Sequence, residues 1–220
     1  MRTIGATLEG ERKRRGLTLR DLAAKAGVSA SLLCSIEKGR VNPSVATLFE
    51  LATALGVPPR VFFGGSAETP EPTGDQLPPP DDGKLVGIAR AAEDPRPPIE
   101  PGSPLVPRAL SREDRPTLRL TDGVVWQLLS PQPDEQIEFM EVAYPPGASS
   151  GTEMFTHTGR EFGLVLEGEL TVEVGFNRFV LGPGDSIGYE SSTPHRVSNQ
   201  GATPMRAVWV NAKRASRGSS

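Results

Sequence analysis

Hydrophobic residues in the first third of the chain recur three or four positions apart, which is the spacing of buried helix faces. The stripes are Leu19, Leu22, Ala23 and Ala26; Leu32, Leu33 and Ile36; and Val45, Leu48, Ala52 and Leu55. Helix-start signals precede these stripes at Thr18 with Asp21, at Ser29 and at Ser44. A last short helix is expected to open at Pro58 and Pro59. The pattern predicts a bundle of about five helices.

In the second half of the chain, apolar and polar residues alternate with a period of two, which is typical of strands. Leu170, Val172 and Val174 form one alternating set, and Ile137 and Phe139 begin another. Turn signals rich in glycine and proline follow at short intervals, at 145–147, 168, 175–177, 182–185 and 199–201. Many short strands with frequent turns predict an all-β antiparallel sandwich or barrel.

A proline-rich stretch separates the two patterns. Nine of the 22 prolines among the 220 residues fall within 65–102, a composition that favours an extended spacer. We therefore expect an α+β multidomain protein in which the spacer holds two domains apart. The predicted divisions are 1–64 (helical domain), 65–102 (linker), 103–213 (β domain) and 214–220 (disordered tail).

Charge and cysteine content narrow the functional classes. Residues 1–64 carry a net charge of +5 and the remainder −8, so a polyanionic partner is plausible only for the first domain. The single cysteine, Cys34, excludes an intramolecular disulfide, and no apolar run approaches the ~20 residues of a membrane span. With no signal-peptide pattern at the N-terminus, we expect a cytoplasmic protein that does not bind membranes.

The segment from Thr18 to Gly39 places a helix, a tight turn at Gly27-Val28 and a second helix in sequence, which is helix-turn-helix spacing. Together with Ile36-Glu37-Lys38-Gly39 and Asn42-Pro43-Ser44, residues 7–63 resemble the lambda-repressor-like XRE family of regulators. The resemblance implies that the chain binds double-stranded operator DNA. The DNA-contacting residues it implies are Arg14, Arg15, Thr18, Ser29, Ala30, Ser31, Ser35, Lys38 and Arg40.

The two histidines of the chain, His157 and His195, both lie in the β domain, and Glu161 follows His157 by four positions. If a second strand brings His195 alongside, two histidines and one carboxylate form a site that suits iron, manganese, nickel or zinc. The alternative is a hydrogen-bonded polar trio inside a pocket for an organic ligand. The residues alone leave both interpretations open.

Residues 103–212 resemble the cupin family of small β-barrels. The first motif has Gly147, His157, Glu161 and Gly168, and the second has Pro183-Gly184-Asp185, Pro194-His195 and Asn199. Phe155 stands where metal-binding cupins usually have their first histidine, so one ligand is missing. The resemblance implies a jelly-roll barrel that pairs as a homodimer. Candidate pocket residues are Trp126, Phe155, Phe162, Tyr189 and Trp209.

The two resemblances imply a DNA-binding transcriptional regulator whose barrel senses a small molecule or a metal and dimerises. The alternative is a mononuclear non-haem iron enzyme that resembles hydroxypropylphosphonate epoxidase, which has the same domain order and ligand spacing. Two residues of that enzyme have no counterpart here. The lysine that its helical domain contributes aligns near Gly16, and its pocket tyrosine aligns among Val125, Trp126 and Gln127. We therefore expect a regulator with no catalytic residues.

Overall fold

The computed structural model describes residues 3–63, 109–132, 134 and 136–213. The predicted linker and the predicted tail lie outside these described residues. The first described range forms four α-helices and one 3₁₀ helix, so the fifth helix of the predicted bundle is a 3₁₀ turn. Their bounds are Ile4–Arg14 (α1), Leu19–Ala26 (α2), Ala30–Glu37 (α3), Val45–Leu55 (α4) and Pro59–Phe63 (3₁₀).

The helix boundaries follow from local capping. Thr18 and Asp21 form a reciprocal capping box at the start of α2, as the sequence predicts. The hydroxyls of Ser29 and Ser44 accept backbone N–H groups at the starts of α3 and α4. Gly27 ends α2 in a left-handed conformation with φ of 68°, which glycine adopts without steric cost. Local signals therefore set the turn between the two helices of the motif.

A buried ion pair joins α1 to α3. The Arg12 guanidinium donates from Nε and Nη2 to the two carboxylate oxygens of Glu37, at 2.7 and 2.9 Å. Its Nη1 donates to the carbonyl of Leu17 at 2.9 Å. Only 10% of the Arg12 side chain and 7% of the Glu37 side chain are exposed. The pair fixes the C-terminal end of α3 on the bundle.

The described residues of the β domain form nine antiparallel strands in two sheets that share one core, in agreement with the predicted antiparallel fold. The larger sheet has the order β1-β2-β3-β9-β4-β7 and the smaller has the order β6-β5-β8. The strands are Thr117–Arg119 (β1), Val125–Leu128 (β2), Ile137–Tyr144 (β3), Arg160–Glu167 (β4), Leu170–Val174 (β5), Asn177–Leu181 (β6), Ser186–Glu190 (β7), His195–Ser198 (β8) and Met205–Ala212 (β9).

Alternation along the strands gives the larger sheet an inner and an outer face. In β4, Glu161, Gly163 and Val165 point inward and are buried, whereas the alternate residues Phe162 and Leu164 are exposed. Gly163 lies on the inner face because a Cβ atom there would come within 2.2 Å of the Trp209 ring. The outer face is unusually apolar, and we call its five large residues the outer apolar face: Ile137, Phe139, Phe162, Leu164 and Leu166, each 38 to 49% exposed.

The expectation that the linker holds the two domains apart is wrong, because α4 packs directly on the barrel. The Ala46 N–H donates to the Ser150 carbonyl at 2.9 Å, and the Thr121 N–H donates to the Pro43 carbonyl at 3.0 Å. Phe49 of α4 is 7% exposed and belongs to a hydrophobic core shared with barrel residues. One face of α4 is therefore buried by the barrel and another by the helical bundle.

Candidate functional site

The three predicted metal-ligating residues come from two strands and one loop. Glu161 is in β4, His195 begins β8, and His157 lies in the loop that leads into β4. Phe155 in this loop exchanges backbone hydrogen bonds with His195, each 3.0 Å long. The His157 N–H also donates to the Ser191 carbonyl at 3.0 Å. This pairing brings together histidines that are far apart in the sequence.

The ligand atoms of the trio converge. His157 Nε2 lies 2.7 Å from Glu161 Oε1, and His195 Nε2 lies 3.1 Å from the same oxygen. One ligand atom from each residue lies within 4.8 Å of the other two, so the trio could hold a metal ion. The side chains of His157, Glu161 and His195 are only 8%, 7% and 0% exposed. The structure thus brings together the three residues that the sequence predicts to lie side by side.

The other ring nitrogen of each histidine faces a backbone carbonyl. His195 Nδ1 lies 2.9 Å from the Thr193 oxygen, and His157 Nδ1 lies 3.3 Å from the Thr158 oxygen. Because a carbonyl oxygen only accepts, each Nδ1 carries a proton. With Nδ1 engaged in this way, Nε2 is the nitrogen of each ring that faces Glu161, and it is the atom that each histidine would offer to a metal ion.

The second carboxylate oxygen of Glu161 is fully engaged. Its Oε2 accepts from Trp209 Nε1 at 2.6 Å and from the Tyr189 hydroxyl at 2.9 Å. In contrast, Oε1 and the two histidine Nε2 atoms are buried and have no aligned hydrogen bond among the described residues, although they lie close together. Three buried electron-pair donors that face one another without hydrogen bonds are typical of a cation site.

The electrostatics of the trio favour an ionised glutamate. Burial opposes ionisation of Glu161, but the contacts with His157 and His195 outweigh it and lower the pKa of the carboxyl well below its usual range. Burial likewise lowers the pKa of His195, and the Glu161 carboxylate more than compensates, so the net shift is upward. Burial and the Glu161 charge raise the pKa of Tyr189, which therefore stays protonated and donates to the carboxylate.

The predicted pocket residues divide into two groups. Trp126, Phe155 and Trp209 line a cavity of about 20 Å³ beside Glu161 and His195, and the Tyr189 ring lies 5.1 Å from the His195 ring. Phe162 does not line it, because strand alternation places it on the outer apolar face, opposite to Glu161. The expectation for Phe162 was wrong. Its sequence position next to an inward-facing glutamate would have been sufficient to exclude it.

Sequence reasoning missed the residues that complete the cavity. Tyr144 and Asn211 contribute from the larger sheet, and Val45 and Phe49 contribute from α4 of the helical domain. The Phe49 ring stacks on the His157 ring, with centroids 4.1 Å apart and planes at 8°. No sequence signal distinguishes Phe49 from a core residue of the helical bundle, so its role emerges only from the structure.

The second candidate site is the exposed surface around α3. Ser29, Ser31, Lys38 and Arg40 are exposed there, and Ala30 and Ser35 are partly exposed. Ser29 caps α3 through the Leu32 N–H and also contacts the Ser31 hydroxyl at 3.0 Å. Leu32 is 37% exposed on the same helix and was not among the predicted DNA-contacting residues.

The predicted DNA-contacting residues from the end of α1 to the start of α2 have partners within the bundle. Arg14 and Arg15, at the end of α1, both form ion pairs with Glu11, and 63% of the Arg14 side chain remains exposed. The Thr18 hydroxyl donates to Asp21 at 2.6 Å, within the capping box of α2. All three residues are exposed, and Thr18 directly precedes α2.

The structure combines a four-helix bundle that contains a capped helix-turn-helix with a β-sandwich that contains a His–Glu–His cluster. This combination defines a two-domain regulator of the helix-turn-helix and cupin class. Residues 8–62 match the family described as "Helix-turn-helix", and residues 140–211 match the family described as "Cupin domain". The chain belongs to the HTH-type transcriptional regulators. Both resemblances predicted from the sequence are thereby confirmed.

Similar proteins support this assignment over most of the chain. The HTH-type transcriptional regulator PuuR of Escherichia coli (strain K12) is 25% identical over 93% of this chain and 91% of its own length. The uncharacterized HTH-type transcriptional regulator y4dJ of Sinorhizobium fredii is 42% identical over 67 residues, which cover 30% of this chain and 87% of that protein.

Among solved structures, an HTH_3 family transcriptional regulator from Vibrio cholerae has the same fold, with a TM-score of 0.62 and 21% identity over 96% of both chains. These proteins are named as transcriptional regulators, which agrees with the prediction of a regulator rather than an enzyme.

In the part of the chain that the structure describes, no helix has the length and apolar character needed to cross a membrane.

Proposed function

We propose that this regulator binds operator DNA through α3 and that a divalent metal ion, bound by His157, Glu161 and His195, is its effector. The observation that carries the proposal is the convergence of three buried ligand atoms that lack aligned hydrogen bonds. A bound divalent ion would supply the positive charge that an ionised, buried Glu161 and two Nε2 lone pairs require. Iron, manganese, nickel and zinc all suit this donor set.

The size of the cavity favours an ion over a metabolite. Its volume of about 20 Å³ is close to the minimum of ~10–15 Å³ that accommodates one water molecule. Pockets for organic ligands commonly reach ~300 Å³ or more. Phe155 stands in place of the first of the family's two motif histidines and packs 4.6 Å from the His195 ring, so solvent would complete the coordination of an ion held by three residues.

Metal titration of trio variants tests the proposal. We expect the metal-free protein to bind one equivalent of Zn²⁺ by isothermal titration calorimetry, and Glu161→Gln to reduce the affinity by at least ~100-fold. Gln keeps the side-chain shape and an oxygen that accepts from Trp209. Glu169→Gln removes a charge at an exposed position of the same barrel and is the matched control. If the wild-type protein binds no zinc, manganese, nickel or iron, or if Glu161→Gln binds as tightly, the metal proposal is wrong.

The DNA-binding part of the proposal rests on the exposed face of α3. Ser29, Ala30, Ser31 and Ser35 would face the major groove, and Lys38 and Arg40 at the C-terminal end of α3 would contact phosphates. Arg14 and Arg15 at the end of α1 and Thr18 at the start of α2 would contact the adjacent backbone. Short hydroxyls read bases weakly, so we expect DNA shape to contribute to the choice of operator.

We also propose that two copies pair through the outer apolar face. Phe162 lies opposite Val210 in the sheet and Val210 lies opposite Phe139, so one apolar row crosses three strands. A contiguous apolar surface of this kind is rare on monomers and is typical of interfaces. A two-fold dimer would present two copies of α3 to a palindromic operator.

Sedimentation equilibrium tests the dimer. We expect a dimer for the wild-type protein, a monomer for Phe162→Glu, and a dimer for the control Phe176→Glu, which changes a fully exposed phenylalanine in the β5–β6 turn. A Phe162→Glu variant that remains dimeric would place the interface elsewhere.

A further inference from the structure

Three polar contacts seat the helical domain on the barrel at separate points. Ala46 and Pro43 bond to barrel backbone groups, and the Arg60 N–H donates to the buried Glu138 carboxylate at 3.2 Å. Ala46 is in the first turn of α4, where backbone N–H groups have no partner within the helix. The barrel therefore supplies the acceptor that this helix start needs, and it holds α4 in one orientation.

Phe49 lies at the centre of this contact. Its ring stacks flat on the imidazole of His157, and it also meets Trp126 edge-on at 6.0 Å and Phe155 at 5.6 Å. These partners belong to the barrel, whereas Phe49 belongs to α4. A residue of the DNA-binding domain thus covers one of the three metal-ligating side chains.

Two cavities meet at Phe49. The small inner cavity beside Glu161 lies on one side, and a cleft of about 350 Å³ between α4 and the barrel lies on the other. Phe49 and Asn211 line both cavities, and His157 lines the outer cleft. The outer cleft is large enough for a small molecule, and the inner one is not. Phe49 and Asn211 therefore form the boundary between the two spaces, and Phe49 is the one of the two that the helical domain contributes.

We propose that Phe49 is a gate through which the DNA-binding domain controls the barrel site and responds to it. The inference deepens the proposed function, since it concerns regulation of the same site. A ligand that passes between the outer cleft and the inner cavity must displace the Phe49 ring, and α4 carries that ring. Because α4 packs on α2, and α2 packs on α3, movement of the gate is transmitted to the DNA-contacting helix without any role for the linker.

Tryptophan fluorescence tests the gate without any ligand. The only two tryptophans of the chain, Trp126 and Trp209, both line the inner cavity and are 4% and 5% exposed. We expect acrylamide to quench the wild-type emission weakly and Phe49→Ala emission severalfold more strongly. Phe176→Ala, at a fully exposed position, is the matched control and should quench like the wild type. Equal quenching of Phe49→Ala and wild type overturns the gate.

A second variant guards against loss of structure. If Phe49→Ala lowers the helical circular dichroism at 222 nm, Phe49→Leu decides, since leucine keeps an apolar side chain but cannot stack flat on the His157 ring. The expected quenching then lies between wild type and Phe49→Ala. If Phe49→Ala is unfolded and a folded Phe49→Leu variant is quenched only as much as the wild type, the gate is contradicted.

Zinc and DNA test the transmission. Fluorescence anisotropy would give the affinity for DNA from upstream of the protein's own gene, once with zinc and once with chelator. We expect the ratio of these two affinities to approach one in Phe49→Ala and to keep its wild-type value in Phe176→Ala. An unchanged ratio in Phe49→Ala overturns transmission through Phe49, as does a wild-type ratio of one. A failure of zinc binding in the wild type refutes the metal proposal, whereas the quenching result decides the gate in either case.

Discussion

Replacing Arg12 by methionine should unfold or severely destabilise the helical domain while leaving the barrel folded. Arg12 forms a two-point ion pair with Glu37 and donates a third hydrogen bond to the Leu17 carbonyl. Arg12→Met leaves the Glu37 carboxylate, whose side chain is 7% exposed, without its cation. Removing one partner of a buried pair costs ~3–5 kcal/mol, against a typical domain stability of ~5–15 kcal/mol.

The two domains give separate signals, which makes this cost measurable. All α-helices of the described residues lie within 4–55, so circular dichroism at 222 nm reports mainly on the helical domain, whereas both tryptophans report on the barrel. In urea unfolding, we expect Arg12→Met to move the dichroism transition by ~3–5 kcal/mol. We expect a smaller change in the fluorescence transition.

Two further variants test the reasoning. Arg12→Met with Glu37→Leu removes both charges and should recover most of the loss, because no uncompensated charge stays buried. Lys13→Met removes the exposed partner of Glu9 and should cost less than ~0.5 kcal/mol. A cost below ~1 kcal/mol for Arg12→Met, equal to that of an exposed pair, would refute the reasoning, as would a double variant no more stable than the single one.

Three other changes have defined outcomes. Lys38→Gln and Arg40→Gln should each weaken DNA binding and reduce the slope of log K against log salt by ~0.9 in anisotropy titrations, and an unchanged slope would remove that residue from the phosphate contacts. Gly163→Ala should lower the barrel's stability by ~1–3 kcal/mol in a fluorescence-monitored melt, because the new Cβ meets the Trp209 ring at 2.2 Å; an unchanged melt would argue against this packing. Trp209→Phe removes a donor to Glu161 and should weaken zinc affinity ~10–100-fold in competition with a chromophoric chelator, whereas equal affinity would show that this hydrogen bond does not support the site.

The helix-turn-helix was predictable because its signals are local. Thr18, Ser29 and Ser44 cap the helices that they precede, and Gly27 makes the turn that its position predicts. Each signal depends on neighbours within a few residues, so no knowledge of the tertiary structure is needed. The His–Glu–His trio was also predictable, since the spacing of His157 and Glu161 matched a family motif.

The contact between the domains was not predictable. Val45 and Phe49 are apolar residues of an amphipathic helix, and hydrophobic periodicity does not reveal which neighbour buries a given position. The proline-rich composition of 65–102 suggested separation, but linker composition carries no information about the surfaces on either side. The face of Phe162 could have been deduced, because Glu161 points inward and adjacent strand residues point to opposite faces.

Fluorescence anisotropy with and without metal is the most direct test of the link between the barrel site and DNA. Labelled DNA from upstream of the protein's own gene would be titrated with zinc-loaded and with chelated protein at physiological salt, alongside scrambled DNA. We expect one of the two metal states of the protein to bind the upstream DNA at least ~10³-fold more tightly than scrambled DNA. We also expect the two metal states to differ severalfold in their affinity for the upstream DNA, and Glu161→Gln to abolish that difference. Equal affinity of zinc-loaded and chelated wild-type protein, or a metal effect that persists in Glu161→Gln, would contradict a regulator controlled through His157, Glu161 and His195.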